Sequence, residues 1–228
     1  DHLSGSRPLV PTSCVLPDML AQQASRSLEP LADIRGQERG IAAMALAAAG
    51  GHNVCMVGPP GSGKSLLARA MVGLLPPLTG EEAIEVNRIH SVSERSGRNP
   101  GVVLQRPFRS PHHTISDVAL VGGGSDPRPG EISLAHAGVL FLDELPEMPR
   151  HVLEVLRQPM ESSEMTISRA RCTVVFPAAF QLVAAMNPCP CGMYSNDPKL
   201  RTKCNCSRHA RQQYSRKVSG PLMDRIDI

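Results

Sequence analysis

Gly58-Pro59-Pro60-Gly61-Ser62-Gly63-Lys64-Ser65 meets the phosphate-loop pattern G-x-x-x-x-G-K-[ST] at every fixed position. Before it, Asn53-Val54-Cys55-Met56-Val57 is a short apolar run of the kind found in a buried parallel strand. After it, Leu66-Leu67-Ala68-Arg69-Ala70-Met71-Val72-Gly73-Leu74-Leu75 is helical in pattern and stops at Pro76-Pro77. Strand, glycine loop, helix is the order that phosphate chemistry needs. The glycines let successive backbone N–H groups turn inward around phosphate oxygens, and the helix N-terminus adds partial positive charge. Lys64 is placed to reach the β- and γ-phosphates of ATP, and the Ser65 hydroxyl to ligate Mg²⁺. Gly58 to Ser65 and the adjoining Leu66 form the expected nucleotide-binding set.

Outward from this loop the chain alternates strands and helices. Glu38-Arg39-Gly40-Ile41-Ala42-Ala43-Met44-Ala45-Leu46-Ala47-Ala48-Ala49 is a helix ended by Gly50-Gly51. Thr79 is a candidate cap for another, with Glu81 and Glu82 in its first turn. Gly138-Val139-Leu140-Phe141-Leu142-Asp143-Glu144 reads as a buried strand whose end presents two carboxylates, and Phe180 to Asn187 as a third buried strand. Residues 149–160 read as one helix, and Met165 to Phe176 as two short strands around Arg169-Ala170-Arg171. The fold class that follows is α/β: a phosphate-loop, doubly wound parallel sheet with helices on both faces and hairpin insertions. Residues 1–30, with four prolines, read as a linker or the tail of a preceding domain; 31–228 form the core. About 96–130 is an irregular Gly-, Pro-, Arg- and His-rich insertion.

Composition narrows the class. The chain has 228 residues, 41% hydrophobic and 3% aromatic with no Trp, so its core is built from Leu, Val, Ile, Ala and Met. No run of about 18 apolar residues occurs, and no basic-then-apolar leader, which points away from the membrane. Seven Cys beside an ATP motif suggest a reducing, cytoplasmic setting. The start at Asp1 and the end at Ile228 give the appearance of a piece of a longer protein.

At the strand ends, Asp143 would hold Mg²⁺ together with Ser65, and Glu144 would take the proton of an attacking water. Asn187 could orient that water or sense the γ-phosphate. The plain alternatives are a solvated acidic turn and a strand-end turn residue. Cys189-x-Cys191 and Cys204-x-Cys206 stand 12 residues apart and could bind Zn²⁺, or be free thiols in a loop. Lys199, Arg201, Lys203, Arg208, Arg211, Arg216 and Lys217, with no acid among them, suit DNA phosphates. So do Arg95, Arg98, Arg106 and Arg109, and the Arg169/Arg171 tip. Solvated loops or subunit-interface cations are the alternative.

Ile34-Arg35-Gly36-Gln37, GPPGSGKS, Val139-Leu140-Phe141-Leu142-Asp143-Glu144, Asn187 and Pro221-Leu222-Met223-Asp224-Arg225-Ile226-Asp227 together resemble an AAA+ ATPase of the magnesium-chelatase-like group. Arg106 to His113, Pro129 to His136 and Met186-Asn187-Pro188-Cys189-Pro190-Cys191-Gly192 resemble the ComM/YifB family of bacterial competence proteins. The resemblance covers about Asp33 to Ile228. It implies a ring, expected to be a homo-hexamer, and an ATP-driven motor that migrates DNA branches. It adds Ile34, Gly36 and Gln37 to the nucleotide-binding set and gives Arg225 the role of a finger reaching a neighbouring subunit's γ-phosphate, the alternative being a pair in cis with Asp224 or Asp227. It favours Arg169/Arg171 as a pore hairpin and Arg106–His113 as a second insertion. It further implies a helical lid beyond Ile228 and, before the core, a Lon-protease-like domain of which residues 1–30 would be the tail or the linker. A chelatase motor subunit that drives Mg²⁺ into a porphyrin, and a nucleotide-dependent scaffold, are the alternative functions.

Overall fold

The computed structural model describes residues 34–93, 102–124, 127–168, 172–195 and 203–228. The expected linker at 1–30, Arg95, Arg98, Arg169, Arg171, Lys199 and Arg201 lie outside them. Four parallel strands form the central sheet: β1 (Val54–Val57), β2 (Phe108–Arg109), β5 (Val139–Leu142) and β8 (Gln181–Met186), in the order β1-β8-β5-β2. Two antiparallel hairpins stand apart from it, β3 (Gly122–Gly123) with β4 (Arg128–Pro129) and β6 (Glu164–Ser168) with β7 (Thr173–Pro177).

Strand alternation divides the core in two. Val139 and Phe141 of β5, Val183 and Ala185 of β8, and Val54 of β1 face helices α1 (Glu38–Gly50) and α2 (Lys64–Leu74), where Met44, Ala47, Leu67 and Met71 are buried. Leu140, Leu142, Leu182 and Ala184 face the other way. There they meet Leu120 of α4 (Asp117–Val121), Ile132 of α5 (Glu131–Leu134), Val152 and Leu153 of α6 (Arg150–Val155) and Leu222 of α9 (Gly220–Met223). A sheet buried on both faces needs apolar residues at consecutive positions, and the Val-Leu-Phe-Leu run of β5 has them.

Helix α3 (Gly80–Ser93) starts with the expected cap. The Glu82 N–H donates to Thr79 Oγ1 at 3.2 Å and the Thr79 N–H to Glu82 Oε2 at 2.8 Å, so side chains satisfy two helix-end donors reciprocally.

Two expectations are corrected. The single helix at 149–160 is two, α6 and α7 (Arg157–Ser162), meeting at Leu156. Pro159 is the cause: its ring crowds the carbonyl four residues earlier, at Val155, so α6 ends there and Pro159 sits in the first turn of a new helix. The described residues within 96–130 are also more regular than the composition suggests. They supply β2, the edge strand of the sheet, then α4 and the β3–β4 hairpin.

Candidate functional site

At the C-terminal ends of β1, β5 and β8, a cleft of about 420 Å³ is lined by Pro60 through Leu66, Asp143, Glu144 and Asn187. This is where ligands bind in open parallel sheets. Gly63 sits at the helix N-cap with φ 82, a left-handed conformation that glycine takes without steric cost. The chain can therefore wrap from β1 into α2 with its amides turned inward. Gln37 Nε2 donates to the Ser62 carbonyl at 3.0 Å and tethers the loop from outside. Among the described residues Ser62 Oγ is buried without a hydrogen-bond partner. An unpaired buried hydroxyl in a glycine loop at a helix N-terminus fits a phosphate oxygen.

Lys64 Nζ lies inside this wrap. It donates to the carbonyls of Gly58 at 2.8 Å and Pro59 at 3.0 Å, and reaches Asn187 Oδ1 at 3.3 Å. Partial burial pulls its pKa below the ordinary lysine value, against the opposing charges of Asp143 and Glu144. Ser65 Oγ donates to Asp143 Oδ2 at 3.0 Å. A hydroxyl and a carboxylate oxygen side by side, facing the loop, make a donor set for a hard divalent cation.

Glu144 is held by strain and by contact. Its backbone is left-handed (φ 52, ψ 44), which costs a non-glycine residue on the order of 1–3 kcal/mol. Its N–H donates to Asp143 Oδ1 at 2.9 Å, and its carbonyl accepts from the Glu147 N–H at 2.7 Å. Its carboxylate meets His113 Nδ1 at 2.9 Å. His113 in turn packs against His112, ring centroids 4.1 Å apart and planes tilted by 33°. The sequence reading placed His113 only in a basic insertion; its pairing with Glu144 spans 31 positions and has no local signal.

Other expected residues stand elsewhere. Ile34 is buried in the core beside α1 and does not line the cleft, nor does Gly36. Arg225 lies outside the cleft of its own chain. Its Nη1 donates to the Pro221 carbonyl at 2.6 Å and its Nη2 pairs with Glu161, not with Asp224 or Asp227. Arg106 and Arg109 do not form a basic surface. Arg106 grips Glu82 through two bonds of 3.1 Å and also donates to the Ala137 carbonyl; Arg109 grips Glu131 through two of 2.6 Å. Both are committed to ion pairs that fix the edge of the sheet.

The four cysteines do come together. All of their sulfurs lie within 4.8 Å of one another. Cys189 is buried, Cys204 and Cys206 half-buried and Cys191 exposed. The Cys191 thiol is pulled down to about 6, chiefly by the backbone N–H of Met193. Cys55, by contrast, is pushed up to about 11 by burial, as befits an inert core thiol. Among the described residues no helix is long and apolar enough to cross a membrane.

Comparison with known proteins agrees with this arrangement. The family described as "Magnesium chelatase, subunit ChlI" matches residues 30–228. The protein YifB of Escherichia coli K12 is 50% identical over 206 residues, 90% of this chain and 39% of its own length. The competence protein ComM of Haemophilus influenzae is 46% identical over 226 residues, 99% of this chain and 43% of its own. The chain thus spans about two fifths of the length of these relatives. A solved assembly of subunits BchI and BchD of magnesium chelatase superposes with a TM-score of 0.56 at 23% identity, over 86% of this chain and 69% of that one. That likeness establishes the AAA+ fold.

Proposed function

Since the chain belongs to the magnesium-chelatase family of AAA+ ATPases, in its ComM/YifB branch, we propose that it is the motor core of a ring that hydrolyses ATP to move branched DNA in the cytoplasm during natural transformation. The observation that carries this reading is the convergence of Lys64, Ser65, Asp143, Glu144 and Asn187 on one cleft.

Each residue has a task that its position suits. The loop amides and Lys64 bind the β- and γ-phosphates. Ser65 and Asp143 would hold Mg²⁺, which when bound offsets negative charge on the phosphates. Glu144 accepts the proton of the attacking water, and Asn187, already in contact with Lys64, orients that water near the γ-phosphate. Arg225, half-buried beside Glu161, is the group offered to a neighbouring subunit's nucleotide in a hexameric ring. Zn²⁺ is the cofactor assigned to the cysteine cluster.

DNA is the partner that the remaining cations suit. Lys203, Arg208 and Arg216 are exposed, and none forms an ion pair among the described residues. Phosphate contacts suffice for a motor, which does not need to read bases. A chelatase-type motor would share the nucleotide cleft but not the need for these exposed cations.

The test is a branch-migration assay on a three-strand or four-way junction with the full-length protein, wild type beside Glu144→Gln. Strand movement by the wild type alone is expected. ATP hydrolysis with no DNA binding at low salt would overturn the DNA half of the proposal and leave the chelatase-type motor.

A further inference from the structure

The cysteine cluster adjoins the nucleotide cleft, and the contacts between them have a direction. Sulfur–sulfur distances are 3.4 Å for Cys189–Cys191, 3.8 Å for Cys189–Cys204 and 3.7 Å for Cys191–Cys204. A tetrahedral zinc site with Zn–S bonds of about 2.3 Å has sulfurs about 3.8 Å apart. These three distances are close to the edges of one face of such a tetrahedron, Cys206 Sγ also lies within 4.8 Å of the others, and all are far longer than the ~2.05 Å of a disulfide. The surroundings also suit thiolates. The Tyr194 N–H donates to Cys189 Sγ at 3.3 Å, and Arg211 Nη1 donates to the Cys206 carbonyl at 2.7 Å while lying 4.4 Å over the Tyr194 ring. Outer-shell bonds of this kind orient metal ligands.

The described residues of the segment bury little else. Between Pro188 and Cys206 the only buried residues among those described are Cys189 and Gly192. Among its described residues no apolar side chain is buried, and a structural metal supplies a different favourable term for folding it.

Two contacts carry that order into the cleft. Gly192 has φ 76 and packs on the phosphate loop so closely that a Cβ there would stand 2.6 Å from Pro60 Cδ and 3.8 Å from Asn187 Cγ. On the far side of the cluster, Ser207 caps helix α8 (Arg208–Ser215), and α8 carries the buried Tyr214, whose hydroxyl lies beside the backbone N–H of Asn187. The cluster therefore ties both ends of a clamp whose jaws touch Pro60 and Asn187.

We infer that Cys189, Cys191, Cys204 and Cys206 bind one Zn²⁺ and that this zinc sets the wall of the nucleotide cleft, through Gly192 on Pro60 and through Tyr214 on Asn187. The inference rests on the nucleotide-site reading above. Zinc occupancy then controls nucleotide affinity without touching Lys64 or Glu144.

The experiment uses the full-length protein purified under reducing conditions. Metal is counted by elemental analysis, and affinity is measured with a fluorescent ADP before chelation, after it, and after Zn²⁺ is returned. One zinc per chain is expected, with at least a tenfold loss of affinity on its removal, recovery on its return and an unchanged far-ultraviolet circular dichroism spectrum. Gly192→Ala keeps every ligand and is expected to retain zinc yet bind nucleotide at least tenfold more weakly; Cys204→Ser is expected to lose both. Absence of zinc, or iron in its place, overturns the metal assignment. Zinc that leaves with no change in affinity, in a protein where Lys64→Ala weakens binding at least tenfold, overturns the coupling alone. Affinity that Lys64→Ala leaves intact overturns the nucleotide-site reading and the coupling with it.

Discussion

Glu144 Oε2 lies 2.9 Å from His113 Nδ1, so the carboxylate aimed at the cleft already has a partner on the loop that follows the edge strand. A carboxylate engaged with an imidazole is less free to accept a proton from water. Both side chains are partly exposed, at 32% and 48%, and an exposed pair is worth up to about 1 kcal/mol. His113→Ala should therefore raise basal ATP turnover by up to about fivefold, with KM unchanged. Steady-state kinetics on the full-length protein checks this. A fall in turnover would mean that His113 aligns Glu144 and does not restrain it.

Lys64 Nζ donates to the Gly58 and Pro59 carbonyls of the loop. Removing a charged donor from a phosphate costs about 1.5–3 kcal/mol, or roughly 10- to 150-fold in affinity. Lys64→Ala should weaken ATP binding by that factor while leaving the fold intact. Loss of the ATP-induced rise in Tm, with an unchanged Tm in its absence, is the readout.

The cations separate into two groups with different expected effects. Arg106 is 12% exposed and doubly bonded to Glu82, so Arg106→Ala should lower stability without altering the salt dependence of DNA binding. Arg208 and Arg216 are exposed, so Arg208→Ala and Arg216→Ala should each reduce the slope of log K against log salt by about 1, with little change in stability. Identical slopes in all three variants would place DNA elsewhere.

The same pair gives a pH signature. Burial would raise the Glu82 carboxyl, but hydrogen bonds from the Thr79 N–H and Arg106 outweigh it and hold the group below the usual carboxylate range. A carboxylate with a lowered folded-state pKa adds stability above its unfolded value and loses it as pH falls through the folded one. Urea unfolding of wild type and Glu82→Gln should differ at neutral pH and converge as pH drops below about 4.

In the core, Leu182 is fully buried and packs in the cluster beneath α6 and α9. Leu182→Ala should cost about 2–5 kcal/mol, seen as a lower urea midpoint with an unchanged slope.

What the sequence reveals here depends on distance along the chain. The phosphate loop is contiguous, and its strand and helix flank it directly, so local chemistry is enough to place Lys64 and Ser65. The runs of β5 and β8 are apolar because both of their faces are buried, and that too is local. Strand β2 is only Phe108–Arg109, and what makes it a strand is its register against Val139 and Leu140, which no periodicity carries. Arg106 and Arg109 look like a cationic patch because Glu82 and Glu131 stand 24 and 22 positions away. The His113–Glu144 pair is hidden for the same reason. The break at Leu156 was open to reading, since Pro159 announces it.

The most direct test of the account is single-turnover ATP hydrolysis by the full-length protein, wild type against Glu144→Gln, with ATP affinity measured in parallel. Unchanged affinity with hydrolysis slowed about 10²- to 10⁴-fold is the predicted result, because only the proton acceptor is lost. Hydrolysis at the wild-type rate would contradict the assignment of Glu144 and with it the chemistry proposed for the cleft.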